Sequence, residues 1–183
     1  QAKTINLGLS YGMGKQKLTK ELGLDENEAD KLFAQYHTKV PFIRGLQDQC
    51  ARVAIDRGYI RTIAGRRCRF DQWEHRFEDS VPLPLEEAKE KYGDNLKRSY
   101  TYKALNRLIQ GSAADMTKLA MLGLWEEGIV PHLQVHDEVD ISIENTDQAR
   151  KVARIMENCI ELAVPLVVDI ELGRSWGETE EIT

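Results

Sequence analysis

Leu133-Gln134-Val135-His136-Asp137-Glu138-Val139-Asp140-Ile141-Ser142-Ile143 is the stretch on which the fold class turns. Two short apolar runs, Leu133 to Val135 and Val139 to Ile143, flank His136-Asp137-Glu138, a pattern that predicts a tight antiparallel hairpin. Alternation along it sets Asp137 on one face and His136 with Glu138 on the other. Upstream lies the longest run of helical spacing, Leu96 to Gly123 or beyond, whose buried side is expected to hold Ala104, Leu105, Leu108, Ile109, Ala113, Met116, Leu119 and Ala120. A long helix leading into a hairpin argues for α+β, mainly helical structure around a small antiparallel sheet, rather than a wound parallel sheet.

Three shorter helices are predicted at the start of the chain. Lys3 to Met13 has helical spacing from its first residues, as if the sequence were a fragment cut into a helix. Lys15 to Leu22 stops at Gly23, and Asp25 caps a third helix carrying Ala29, Leu32, Phe33 and Tyr36 at three- and four-residue intervals. After Pro41 a longer amphipathic helix turns Ile43, Leu46, Cys50, Val53 and Ala54 inward, leaves Ile55 outside, and ends at Gly58. Residues 58–70, Gly58-Tyr59-Ile60-Arg61-Thr62-Ile63-Ala64-Gly65-Arg66-Arg67-Cys68-Arg69-Phe70, alternate on both sides of Ala64-Gly65 and read as an arginine-rich hairpin. From Asp71 to Asn95 the pattern loosens around Val81-Pro82-Leu83-Pro84, an insertion-like loop with a short charged helix at Leu85 to Tyr92. Downstream, Asp147 to Leu162 reads as helix and Leu166 to Leu172 as a final strand.

Composition removes several classes. The longest apolar runs, Leu119 to Trp125 and Leu162 to Val168, are seven residues each, far below the roughly 20 that span a bilayer. The polar Gln1-Ala2-Lys3-Thr4 lacks a signal peptide's pattern. Cys50, Cys68 and Cys159 form no CxxC and no even set, which argues against a disulfide framework or a zinc site and for a reducing, cytoplasmic setting. The net charge of −5 conceals a split: residues 1–70 carry 13 Lys+Arg against 7 Asp+Glu, net +6, and residues 71–183 carry 12 against 23, net −11. Such asymmetry suits a protein that grips phosphates in one place and metal ions in another, and equally an unevenly charged solvated surface.

Three groups of residues have chemistry in them. Lys3, Leu7 and Tyr11 are four apart, so a helix aligns a cation, an apolar side chain and a ring, with Gly8, Gly12 and Gly14 leaving nearby backbone bare. A nucleotide needs charge for its phosphates and a flat contact for its base, although a packed helix with a snorkelling lysine has the same spacing. Asn106 and Gln110 are an amide pair one helical turn apart, suited to base or sugar edges, and Gly111-Ser112-Ala113-Ala114 permits close approach. Asp137 and Glu138 at a hairpin turn are either an ordinary acidic turn or hard-oxygen ligands for magnesium. One such carboxylate does not make a two-metal site, which needs a further group bridging ions about 4 Å apart.

Taken in order, these segments resemble family A DNA polymerases, the Pol I-like group. Lys3-Thr4-Ile5-Asn6-Leu7-Gly8-Leu9-Ser10-Tyr11-Gly12 is similar to the family's motif B, and Gln134-Val135-His136-Asp137-Glu138 to its motif C. Ala104 to Asp115 resembles the helix between them, and the hairpin from Gly58-Tyr59-Ile60 to Gly65-Arg66-Arg67 is also similar. The likeness runs to Gly173-Arg174-Ser175-Trp176-Gly177.

The resemblance implies fingers over residues 1–57 and part of the palm over residues 58–183, the latter including the hairpin, the loop 71–95, the long helix and the carboxylate hairpin. It implies a magnesium-dependent nucleotidyltransferase that joins dNTPs to a primer 3′-hydroxyl with release of pyrophosphate. Lys3 would pair with the triphosphate, Leu7 touch the incoming sugar and Tyr11 lie at the base of the nascent pair. Asp137 would be a catalytic metal ligand for the two ions, with Glu138 beside the primer end. His136, Asn106, Gln110, Arg66 and Arg67 would face the primer-template. Leu7 stands where many members carry Phe or Tyr, a departure in which some phage polymerases are similar, and Tyr102 where the bacterial enzymes have Arg. The arginine expected four residues before Lys3 would lie upstream of Gln1. Motif A, with the other metal-binding aspartate, would also have to come from an upstream segment, so this chain alone is not expected to extend a primer. If the source is viral, the expected compartment is the host cytoplasm. The alternative is a non-catalytic DNA-binding or assembly module that keeps a polymerase-like fold; a generic magnesium phosphohydrolase has only Asp137-Glu138 in its favour.

Overall fold

The computed structural model describes residues 2–11 and 13–182, apart from the side chains of Ala2, Thr4 and Lys15. These residues divide into two compact units, Gln1–Gly111 and Ser112–Thr183.

The first unit opens with α1 (Ala2–Ser10), α2 (Lys15–Leu22), α3 (Glu26–Lys39) and α4 (Pro41–Arg57). Helix α1 stops at Ser10 rather than reaching Met13, because the chain turns at Tyr11. Gly23, left-handed at φ 66°, ends α2. Asp25 opens α3 with a capping box: its carboxylate accepts from the Glu28 N–H at 2.8 Å, and the Glu28 carboxylate accepts from the Asp25 N–H at 3.2 Å. Pro41 begins α4 and Gly58, left-handed at φ 74°, ends it. Along α4, Cys50 and Ala54 are buried and Ile55 is exposed, as the spacing predicts. Leu46 departs from the expected stripe and is exposed, since the core that α4 covers is built around Cys50 and Ala54 and Leu46 lies a turn before it.

Strands β1 (Tyr59–Arg61) and β2 (Arg67–Arg69) form the expected antiparallel hairpin, with Ile60 opposite Cys68. Period-two alternation sends Ile60 and Cys68 into a core with Cys50, Ala54, Phe70, Ala104 and Leu105. Tyr59, Arg61, Arg67 and Arg69 fall on the other face. Phe70 is only 2% exposed, a burial worth roughly 1.5–3 kcal/mol.

Residues 71–95 are not a simple loop. β3 (Gln72–His75), β4 (Leu83–Pro84) and β5 (Leu96–Arg98) form a three-stranded antiparallel sheet in the order β4-β3-β5, and α5 (Leu85–Tyr92) occupies the expected helical stretch. Arg98 explains why a polar segment orders. Its guanidinium lies 4.4 Å from the Trp73 ring centroid and donates to the carbonyls of Ile55 and Phe70 at 3.2 and 3.0 Å. The same strand takes Leu96 to Arg98 out of the predicted long helix. Tyr100, left-handed at φ 61°, and a 3-10 turn at Thr101–Lys103 separate β5 from α6 (Ala104–Glu126).

Along α6 the inward stripe is made of buried and half-buried positions that include 104, 105, 108, 111, 112, 115, 116, 119, 120, 123 and 124. The inward stripe therefore passes through Gly111, Ser112 and Asp115, and it leaves Ile109 and Ala113 exposed, contrary to expectation. Small and polar residues on the inward side obscured its course. In the second unit, Ala120, Leu124, Ile129, Ala149 and Ala153 are buried. β6 (Leu133–Val135) pairs with β7 (Glu138–Asp140), which ends earlier than the predicted Ile143 because Leu133 opposite Asp140 is the last pair. α7 (Thr146–Glu157) is capped by Asn145, whose side chain accepts from the Gln148 N–H at 3.0 Å, and ends before Leu162. β8 (Ile170–Ser175) begins later than Leu166, since Val168 gives its N–H to the Glu157 carboxylate at 3.1 Å instead of to a strand. Its partner, β9 (Glu178–Ile182), is too acidic to have shown itself by alternation. The α+β class stands, and no helix among the described residues is long and apolar enough to cross a membrane.

Candidate active site

In the first unit α1 carries Lys3, exposed, Leu7, 43% exposed, and Tyr11, half-buried just beyond the helix end. The Tyr11 N–H donates to the Leu7 carbonyl at 3.0 Å, continuing the helical turn, and the Gln110 side-chain amide donates to the Tyr11 hydroxyl at 3.0 Å. Two residues 99 positions apart, singled out for nucleotide and nucleic acid, are thereby joined. Asn106, one turn before Gln110 on α6, is half-buried. Gly12, which closes the first motif, lies outside the described residues.

The β1-β2 hairpin is fixed to α6 by its turn. The Arg66 guanidinium donates to the Gly111 carbonyl at 2.9 Å, and the Arg66 N–H donates to the hydroxyl of buried Thr62 at 3.0 Å. A Cβ on Gly111 would stand 2.8 Å from the Thr62 methyl, so the glycine is what allows hairpin and helix to meet. Arg67 is exposed and lies 4.7 Å from the centroid of the Tyr59 ring, with Arg61 5.6 Å from the same ring. Arg107 completes the arrangement, 4.6 Å from the Phe70 centroid and donating to the Arg69 carbonyl at 3.0 Å. Arg66 thus acts as a strut, whereas Tyr59, Arg61, Arg67 and Arg69 share the outward, cationic face. Arg61 and Arg69 join Arg67 on this face, whereas the sequence-based expectation of nucleic-acid contact extends only to Arg66 and Arg67.

In the second unit the two-residue turn His136-Asp137 joins β6 to β7, and His136, Asp137 and Glu138 are all exposed. His136 has φ 56°. A positive φ at the first turn residue alone is the type II′ pattern, where glycine is usual, so this histidine is held under backbone strain. Its carbonyl accepts a hydrogen bond from the Gln134 side chain. Among the described residues no group of three or more His, Cys, Asp and Glu side chains gathers as a metal cage. Asp137 and Glu138 nevertheless offer accessible hard oxygens, the donors magnesium takes when phosphates and water complete its shell.

The family model for DNA polymerase family A matches residues 1–178, from α1 through both hairpins into β9. The chain belongs to DNA polymerase family A. A DNA-directed DNA polymerase of Pseudomonas phage M6 is 37% identical over 97% of this chain and 29% of its own length. The thermostable DNA polymerase I of Thermus aquaticus is 34% identical over 98% of the chain and 21% of its own length. Among solved structures, the POL domain of Pol1 from M. smegmatis, in complex with DNA primer-template and dNTP, is similar at a TM-score of 0.68 and 28% identity, over 90% of this chain and 28% of that one. This family A chain spans less than a third of the length of these relatives. The mainly helical α+β architecture agrees with the polymerase domain it resembles.

Proposed function

We propose that the chain is the C-terminal fingers-and-palm part of a template-directed DNA polymerase, with fingers over residues 1–57 and part of the palm over residues 58–183. The observation that carries this reading is a family A match running unbroken from the Lys3-Leu7-Tyr11 helix to beyond the Asp137 hairpin. The reaction is attack of a primer 3′-hydroxyl on the α-phosphate of a dNTP, with the P–O bond to the β-phosphate breaking and pyrophosphate leaving.

Each side chain has a task in it. Lys3, cationic and exposed, pairs with the triphosphate, and its position four residues before Leu7 puts the sugar against an apolar contact. Tyr11, held by Gln110, offers its ring to the nascent base pair while Asn106, Gln110 and His136 meet the primer-template. Arg67 supplies phosphate attraction from the hairpin, and Arg66 does so from the strut that fixes it. Asp137 would hold divalent metal, with Glu138 beside the primer end. A magnesium pair, when bound, stabilises charge on the attacking and leaving oxygens. The second aspartate for that pair belongs to an upstream segment, as do the remaining domains.

A binding titration separates this from a non-catalytic module. Primer-template bound by the chain together with an upstream family A segment should be held more tightly in the presence of magnesium and the correct dNTP than with an incorrect one. An affinity that depends on salt yet is indifferent to both would sink the polymerase reading and favour a scaffold.

A further inference from the structure

We infer that Tyr36 and Gln47 are positioning residues that fasten the last turn of α1, so that Lys3, Leu7 and Tyr11 are presented to the nucleotide as one rigid row. The inference rests on the polymerase reading of α1.

A nine-residue helix is marginal in isolation, and Leu9 is the one side chain of α1 that is buried among those described. Packing alone gives α1 little hold, so its polar contacts carry more weight. The last four carbonyls of a helix have no partner inside it. Here all four are accounted for. The Leu7 carbonyl accepts from the Tyr11 N–H at 3.0 Å and the Gly8 carbonyl from the Met13 N–H at 2.8 Å. The Leu9 and Ser10 carbonyls both accept from the side-chain amide nitrogen of Gln47, each at 3.0 Å, and that nitrogen carries two hydrogens to give.

Tyr36 adds a second clasp from a different helix. Its hydroxyl donates toward the Asn6 side-chain oxygen at 3.1 Å, which leaves the Ser10 hydroxyl, 2.8 Å away, to donate to Tyr36. Asn6 and Ser10 are one turn apart, so Tyr36 on α3 spans the final turn while Gln47 on α4 closes its end. Tyr11 follows Ser10 directly and is held at its ring by Gln110. Loosening the turn would leave the row competent for only a fraction of the time, and apparent nucleotide affinity falls by that fraction.

Three substitutions test this. Tyr36→Phe removes a single hydroxyl, Gln47→Leu removes both amide donors at similar volume, and Gln47→Lys restores a donor whose charge suits a helix C-terminus. Amide hydrogen exchange is read on the chain itself, and dNTP KM and kcat on the chain completed by an upstream family A segment. Tyr36→Phe and Gln47→Leu should speed exchange across residues 5–11 alone and raise KM roughly fivefold, the scale of one lost hydrogen bond, with kcat changed by less than about twofold; Gln47→Lys should bring KM back towards the parent value. Exchange unchanged in residues 5–11, or raised evenly throughout the chain, would overturn the inference. So would an unchanged KM in a polymerase where Lys3→Ala raises it. If Lys3→Ala has no effect either, the polymerase reading of α1 is what fails, and the exchange result still decides the fastening. Should Gln47→Leu unfold the chain, Tyr36→Phe carries the test.

Discussion

Lys3 and His136 are the two residues where chemistry and structure pull apart most usefully. Lys3 is exposed on α1, and the fold asks nothing of its charge. Lys3→Ala should therefore leave the unfolding midpoint in place and raise the dNTP KM of the completed polymerase roughly tenfold, the loss expected for a charge-assisted hydrogen bond; steady-state kinetics over a range of dNTP concentrations would show it. His136 presents the opposite case. At φ 56° it occupies a turn position made for glycine. His136→Gly should stabilise the chain by about 1 kcal/mol, the cost of the left-handed conformation, while weakening primer-template binding. A denaturant titration and a DNA titration on the same variant should move in opposite directions if His136 meets the primer-template as proposed.

Elements depend on contacts that a single residue opens or closes. Gly111→Ala would push a methyl group against Thr62 and disturb the Arg66 bond to the Gly111 carbonyl. Overpacking of this kind costs about 1–3 kcal/mol, so the thermal midpoint should fall, and the larger the hairpin's displacement the weaker should be the DNA binding proposed for Arg67. In the second unit the Lys151 ammonium donates to the Glu127 carboxylate at 2.8 Å, fastening α7 to the chain just past α6. That hydrogen bond and the charge beside it hold the Glu127 carboxyl below its ordinary pKa. A depressed carboxylate adds stability above its unfolded pKa and loses it as pH falls through the folded value. The stability difference between the parent chain and Glu127→Gln should accordingly be small near neutrality, both partners being half-exposed, shrink on acidification below the ordinary glutamate value of about 4.3, and vanish once the pH has fallen past the lowered one. How legible these elements were follows from the same contacts. Helices α2 and α5 and the β1-β2 hairpin could be read from spacing and turn glycines, because each is decided locally. The β4-β3-β5 sheet could not, since Trp73 and Arg98 order each other across 25 positions that look like polar loop. The course of α6 was misread at Ile109 and Ala113 because its inward side is built from Gly111, Ser112 and Asp115.

At the scale of the whole molecule, the acidic average of −5 hides a first 70 residues at +6, and those residues carry α1 and the arginine hairpin. The candidate site was legible for a different reason than the fold. Lys3, Tyr11, Gln110 and Asp137 mark motifs whose order along the chain is informative without any packing, whereas Arg61, Arg69, Tyr36 and Gln47 become visible only through the faces and bonds that tertiary structure creates. This chain spans less than a third of the length of its relatives, and in the proposed polymerase it supplies one half of a divided active site. Primer extension tests this division, with the purified chain mixed with an upstream family A segment carrying the other metal-binding aspartate, in magnesium, with Asp137→Ala alongside. Template-directed synthesis is expected from the mixture, none from either part alone and none with Asp137→Ala; extension by the chain alone, or by the mixture regardless of Asp137, would show that the site is not divided in this way.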